Sequence, residues 1–123
     1  MNGKTKIAIV DDSAVIRDRL VQRLSKCENY ELIWQADDFE SALEMIDREL
    51  PDVLILDIQL PGGSGIDVLR NVKVTNPALK VIMLTNFPLL PFRKTCFKAG
   101  ADYFFDKSEE FEKVFEVLKG IRN

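Results

Sequence analysis

The run Val53-Leu54-Ile55-Leu56, closed by Asp57, constrains this chain more than any other segment. Four consecutive apolar residues leave a strand no polar face to turn toward water. Such a strand needs cover on both sides, as helices give the central strand of a parallel sheet. Three other apolar runs also end in a chemically active side chain. Asp11 and Asp12 follow Lys6-Ile7-Ala8-Ile9-Val10, Thr85 closes Val81-Ile82-Met83-Leu84, and Lys107 comes just after Tyr103-Phe104-Phe105. If the four runs are parallel strands of one sheet, these five side chains gather at its carboxyl edge, where open α/β sheets bind ligands. A cluster of that composition can hold a divalent metal and accept a phosphoryl group.

The remaining sequence supports that arrangement by alternating strand and helix signals five times. Residues 5–10 form a first strand, and Ala14, Arg17, Leu20, Val21 and Leu24 then follow helical spacing, with Ser13 or Asp12 as N-cap. Glu31 to Gln35 predict a shorter strand containing Trp34. Asp37-Asp38-Phe39-Glu40 resembles a capping box, opening a helix striped by Ala42, Leu43 and Ile46. After Pro51 and the strand Val53 to Leu56, Pro61-Gly62-Gly63 is turn chemistry. Ser64 caps a third helix with Ile66, Leu69 and Val72. Lys80 to Leu84 form the fourth strand, Pro91 suits the first turn of a short fourth helix, and Gly100 ends it. Asp102 to Phe105 form the fifth strand. Ser108 is expected to cap a last helix, with Glu109 and Glu110 in its first turn and a core stripe of Phe111, Val114, Phe115 and Leu118. The sum is a (βα)5 unit, an α/β parallel sheet with helices on both faces.

Composition narrows the function. With 123 residues the chain fits a single domain, and 46% hydrophobic with 30% charged residues favours a packed core. A formal charge of −3 argues against direct nucleic-acid binding. Cys27 and Cys96 lie in unrelated segments without metal-like spacing, which suits reduced thiols and a cytoplasmic location. No signal peptide or membrane span is expected. The chain contains no histidine, so a histidine phosphodonor or histidine base must come from a partner.

Five blocks carry a resemblance: Val10-Asp11-Asp12-Ser13, Leu56-Asp57-Ile58-Gln59-Leu60-Pro61-Gly62, Leu84-Thr85, Lys98-Ala99-Gly100-Ala101-Asp102 and Asp106-Lys107-Ser108. In this order and spacing the chain resembles the receiver domain of bacterial two-component response regulators over essentially its whole length. The resemblance implies a doubly wound, flavodoxin-like sheet of order 2-1-3-4-5 and a single receiver domain over 1–123 with no output domain. It also implies Asp57 as the phosphoryl acceptor. Asp12 and Asp57 would ligate Mg2+ directly, Asp11 through water, and the backbone carbonyl of Gln59 would add a ligand. Lys107 and Thr85 would meet phosphoryl oxygens. Two carboxylates about 5 Å apart repel by roughly 3 kcal/mol at an effective dielectric near 20, which a bound cation relieves. An adjacent Asp pair taken alone is more often a helix cap, and a lone lysine more often a solvated one; joint placement at four strand ends reverses those odds.

The same resemblance makes Thr85 and Phe104 the switch pair, and Gln59 and Phe87 the residues that tune dephosphorylation. Expected partners are a histidine kinase or histidine phosphotransfer protein, and a downstream protein or a homodimer. Enzymatic activity would be at most self-phosphorylation from small donors and slow self-dephosphorylation. The segment Phe87-Pro88-Leu89-Leu90-Pro91-Phe92 departs from the commonest family pattern. Its prolines should shorten or displace the start of the fourth helix, and Phe87, Leu89, Leu90 and Phe92 are candidates for an apolar docking patch. Four other readings compete: a receiver fragment of a DNA-binding regulator, a degenerate receiver acting as an interaction module, an aspartyl phosphohydrolase, and a flavin-binding module on the same fold. Gln59 disfavours the phosphohydrolase, because it cannot serve as general acid two residues after the nucleophile. A flavin module on this fold is disfavoured by Asp11-Asp12, which would repel the cofactor's phosphate.

Overall fold

The computed structural model describes residues 3–121. Its main sheet has five parallel strands: β1 (Thr5–Val10), β2 (Tyr30–Ala36), β3 (Val53–Leu56), β6 (Lys80–Thr85) and β7 (Tyr103–Asp106). A two-strand antiparallel ladder, β4 (Gln59–Leu60) and β5 (Gly63–Ser64), lies between β3 and the third helix. The helices are α1 (Ala14–Ser25), α2 (Phe39–Arg48), α3 (Gly65–Thr75), α4 (Leu90–Lys98) and α5 (Lys113–Gly120). Strand order is β2-β1-β3-β6-β7, the expected 2-1-3-4-5 order when the small ladder is not counted.

Alternation along the strands builds two cores. Ala8, Val10, Leu54, Leu56, Val81 and Met83 point to one face, where Ala42, Ile46, Leu69, Val72 and Cys96 of α2, α3 and α4 cover them. Ile7, Ile9, Val53, Ile55, Ile82 and Leu84 point to the other, beneath Leu20 and Leu24 of α1 and Val114, Phe115 and Leu118 of α5. All four residues of β3 are buried, as its uninterrupted apolar run requires.

Four local expectations need correction. The second strand is longer than expected, seven residues rather than five: Tyr30 pairs with Thr5 and Ala36 with Val10, and Ile33 is an extra residue opposite the Ile7/Ala8 step. The cap of α2 is Asp38, whose carboxylate accepts from the Ser41 N–H, so the Asp37–Glu40 capping box does not form. The fifth strand is shifted by one residue, to Tyr103–Asp106. Ser108 does not cap the last helix. Its N–H and hydroxyl both donate to Asp106 Oδ1 in a turn, and α5 starts only at Lys113. Glu110 Oε1 accepts from the Asp106 N–H, and this competes with its place in a helical first turn. Ser13 and Ser64 do cap α1 and α3, accepting from the N–H groups of Ile16 and Ile66.

At the amino edge of the sheet a cavity of about 560 Å³ is lined by residues including Gly3, Arg23, Tyr30, Phe115 and Ile121. Among the described residues no helix is long and apolar enough to cross a membrane.

Candidate phosphoryl-acceptor site

Parallel pairing sets each site residue at the carboxyl end of its strand. The Asp57 N–H donates to the Val10 carbonyl, the Asp11 N–H to Ala36 and the Lys107 N–H to Thr85, so the ladder bonds run one residue past the strands. Asp11, Asp57, Thr85 and Lys107 are the buried polar residues at this edge, and Asp12 is exposed beside them. Carboxylate oxygens of Asp11, Asp12 and Asp57 lie within 4.8 Å of one another.

Lys107 Nζ reaches Asp11 Oδ2 at 2.8 Å and Asp57 Oδ2 at 2.9 Å, with all three side chains buried. Burial pulls the Lys107 amine downward, but its hydrogen bonds to Asp11 and Asp57 outweigh that and hold it above its ordinary range. Burial pushes the Asp11 carboxyl up, against the bonds from Lys107 and the Ser13 N–H that favour the ionised form. Three carboxylates facing one ammonium leave two negative charges unbalanced at full ionisation, and all the donors are hard oxygens. That set fits a small divalent cation such as Mg2+.

Neighbours that carry no distinctive sequence signal fix the cluster. The Ile58 N–H donates to Asp57 Oδ1 at 2.7 Å, and Arg17 Nη1 donates to the Asp11 carbonyl at 2.7 Å. Gly65 packs so closely that an added Cβ would run into the carbonyl oxygen of Asp57, while its N–H donates to Ile58 O at 2.6 Å. Thr85 Oγ1 accepts from the Phe87 N–H at 3.0 Å, which leaves its own proton to donate elsewhere.

The other expected residues fall around this centre. Gln59 is exposed on β4, and Phe87 is exposed two residues beyond Thr85. Phe104 is not among the carboxylates. It is buried on the α4 side of the sheet, its ring near Phe97 and Arg93 and its carbonyl accepting from Arg93 Nη1. Leu89 and Leu90 are exposed, but Phe92 packs against the core and leaves the expected docking patch. Exposed Phe97, further along α4, is an addition to that patch; its spacing of seven from Leu90 was the available signal in the sequence.

A doubly wound parallel sheet with a carboxylate cluster and a lysine at its carboxyl edge defines a class of signalling domain. The chain belongs to the response regulator receiver domain family, whose model matches residues 7–119. It is 32% identical over 114 residues to sporulation initiation phosphotransferase F of Bacillus subtilis, covering 93% of this chain and 90% of that protein. It is 27% identical over 116 residues to response regulator GacA of Pseudomonas aeruginosa, covering 94% of this chain. The chain spans 54% of the length of GacA and 31% of the cyclic di-GMP phosphodiesterase of Thermotoga maritima, another match. Among solved structures, a CheY-like response regulator receiver domain protein from Methanospirillum hungatei superposes with a TM-score of 0.86 at 30% identity, covering 96% of this chain and 93% of that one.

Proposed function

We propose that this chain is a phosphorylation-controlled switch in which Asp57 accepts a phosphoryl group from a histidine kinase or histidine phosphotransfer protein. The observation that carries the reading is the three-carboxylate cluster with the Lys107 ammonium bridging Asp11 and Asp57. An oxygen of Asp57 attacks phosphorus and forms a P–O bond, while the bond to the donor breaks and its electron pair leaves with the donor. With a phosphohistidine donor that pair returns to the partner's imidazole nitrogen. Lys107 then exchanges a carboxylate oxygen for a phosphoryl oxygen, and the free Thr85 proton serves another.

Asp11, Asp12, Asp57 and the Gln59 carbonyl would hold Mg2+ here. When bound, the ion supplies the charge neutralisation that lets an anionic nucleophile meet an anionic donor. Phosphorylation would shift the α4–β7–α5 face and so control a partner protein or a homodimer, in the cytoplasm. The match to a putative transcriptional regulator of Pseudomonas aeruginosa, of which this chain spans 56%, and the likeness to a DNA-binding response regulator of Staphylococcus aureus favour a second reading, in which this receiver controls a DNA-binding module.

Intact mass after incubation with Mg2+ and acetyl phosphate tests the proposal. Wild type should gain one phosphoryl group and Asp57→Ala none. No gain by wild type with either acetyl phosphate or a phosphorylated histidine phosphotransfer domain would leave an interaction module that works without phosphorylation. Phe87, exposed beside Thr85, should limit attacking water, so the acyl phosphate of Phe87→Ala is expected to decay several-fold faster in a mass time course.

A further inference from the structure

The cavity at the amino edge of the sheet is walled jointly by β1, β2, α1 and α5, opposite the carboxylates. Its volume of about 560 Å³ lies within the range of small-molecule sites. Half-buried Tyr30 and buried Phe115 and Leu118 give it an apolar lining. The Arg23 guanidinium lies 4.2 Å from the centre of the Phe115 ring and pairs with Glu112, which does not line the cavity. Lys4, Arg23 and Lys119 line it, and no described acidic residue does. Lys119 forms no salt bridge among the described residues. Helix ends explain part of this charge: Arg23 and Lys119 sit in the last turns of α1 and α5, where cations offset the negative end of the dipole. They do not explain Thr5. It is 5% exposed, on the sheet face of Ile7 and Ile9 that looks toward α1 and α5, and its hydroxyl has no hydrogen-bond partner among the described residues. Since no fully enclosed side-chain oxygen among those residues lacks a partner, this hydroxyl opens onto the cavity. A polar group so placed is stable only when something in the cavity completes its bonding.

We propose that this cavity binds a small aromatic monocarboxylate, its ring against Tyr30 and Phe115 and its carboxylate accepting from the Thr5 hydroxyl and pairing with Lys119. Three properties of the walls select that class. Flat aromatic surfaces favour a planar ring over a branched chain. A lining with three cations and no described acid favours an anion. The anion carries a single charge, because α1 and α5 both turn their carboxyl ends here, and two negative dipole ends oppose the multiple charge of a phosphate. The proposal does not depend on phosphoryl transfer to Asp57, which lies at the other edge of the sheet.

The test titrates the full isotope-labelled chain with 2-naphthoate, its neutral isostere 2-naphthamide and naphthyl phosphate. Naphthoate should shift the amides of Thr5, Tyr30, Phe115 and Lys119 and saturate with a Kd at or below about 1 mM, as a fragment of this size can. The amide should bind about tenfold more weakly, for want of the charge-assisted bonds. Cys27 lines the cavity and is half-buried, whereas Cys96 is fully buried, so iodoacetamide reads occupancy directly: naphthoate should slow modification of Cys27. Thr5→Val keeps the shape and β-branching of the side chain and should weaken naphthoate about tenfold, and Lys119→Gln several-fold. Circular dichroism and acetyl phosphate charging of both variants should match wild type. No saturable shifts, shifts centred elsewhere, equal binding of the amide, tighter binding of naphthyl phosphate, or unchanged affinity in Thr5→Val would overturn the proposal. If Asp57 never charges yet naphthoate binds here, the switch reading fails and this site stands.

Discussion

Single residues carry most of what was legible in this chain. The amino-acid sequence alone places Asp11, Asp12, Asp57, Thr85 and Lys107 together, because a parallel sheet brings all strand ends to one edge. It does not place their hydrogen bonds. The Ile58 N–H on Asp57 and the Phe87 N–H on Thr85 depend on how the loops turn, and no residue type signals that. Cys96 shows what burial alone does to a group outside the site. It is fully buried on the inner face of α4, and burial raises its thiol from 9.0 to about 11, opposed by Arg70. Between those values the unfolded chain gives up the thiol proton while the folded chain keeps it. The stability Cys96 contributes is therefore full below pH 9 and lost as pH rises toward 11. Urea unfolding at about pH 8 and about pH 10 should show a smaller loss of stability for Cys96→Ala than for wild type, and alkylation at the lower pH should spare this thiol in the native protein.

Elements were read well where periodicity is unbroken and poorly where two local hydrogen-bonding schemes compete. The apolar runs located β1, β3 and β6, and the serines before α1 and α3 capped as expected. The start of α5 is not legible in the sequence, because Ser108 has an ordinary cap's identity but spends both donors on Asp106. The β4–β5 ladder carries a device that only the folded backbone reveals: the N-terminus of α3 lies directly against the peptide of Asp57, and only a residue without a Cβ fits at Gly65. Gly65→Ala should cost about 1–3 kcal/mol in urea unfolding, the usual range for overpacking. It should also slow acetyl phosphate charging, since the loop that carries Gln59 has to move outward. Ser64→Ala, which removes only the α3 cap, should cost about 1 kcal/mol and leave charging close to wild type.

At the scale of the whole molecule, the carboxylate cluster is expected to make stability depend on cations. A ligand that binds the folded chain alone stabilises it by about 2.7 kcal/mol at a hundred times its Kd, which amounts to roughly 10 °C in Tm for a domain of this size. Mg2+ is therefore expected to raise the melting temperature in a differential scanning measurement, and Asp12→Asn should abolish most of the increase without lowering the metal-free Tm. The opposite edge of the sheet has a separate consequence. Gly3 and Ile121 both line one cavity there, so the two ends of the described chain lie at the same edge of the sheet, opposite the carboxylates. A short linker could join them and new termini could open in a surface loop, giving a circularly permuted variant with its phosphoryl chemistry untouched. The same geometry lets the domain be spliced as a cassette into a host protein's loop, entering and leaving through one doorway.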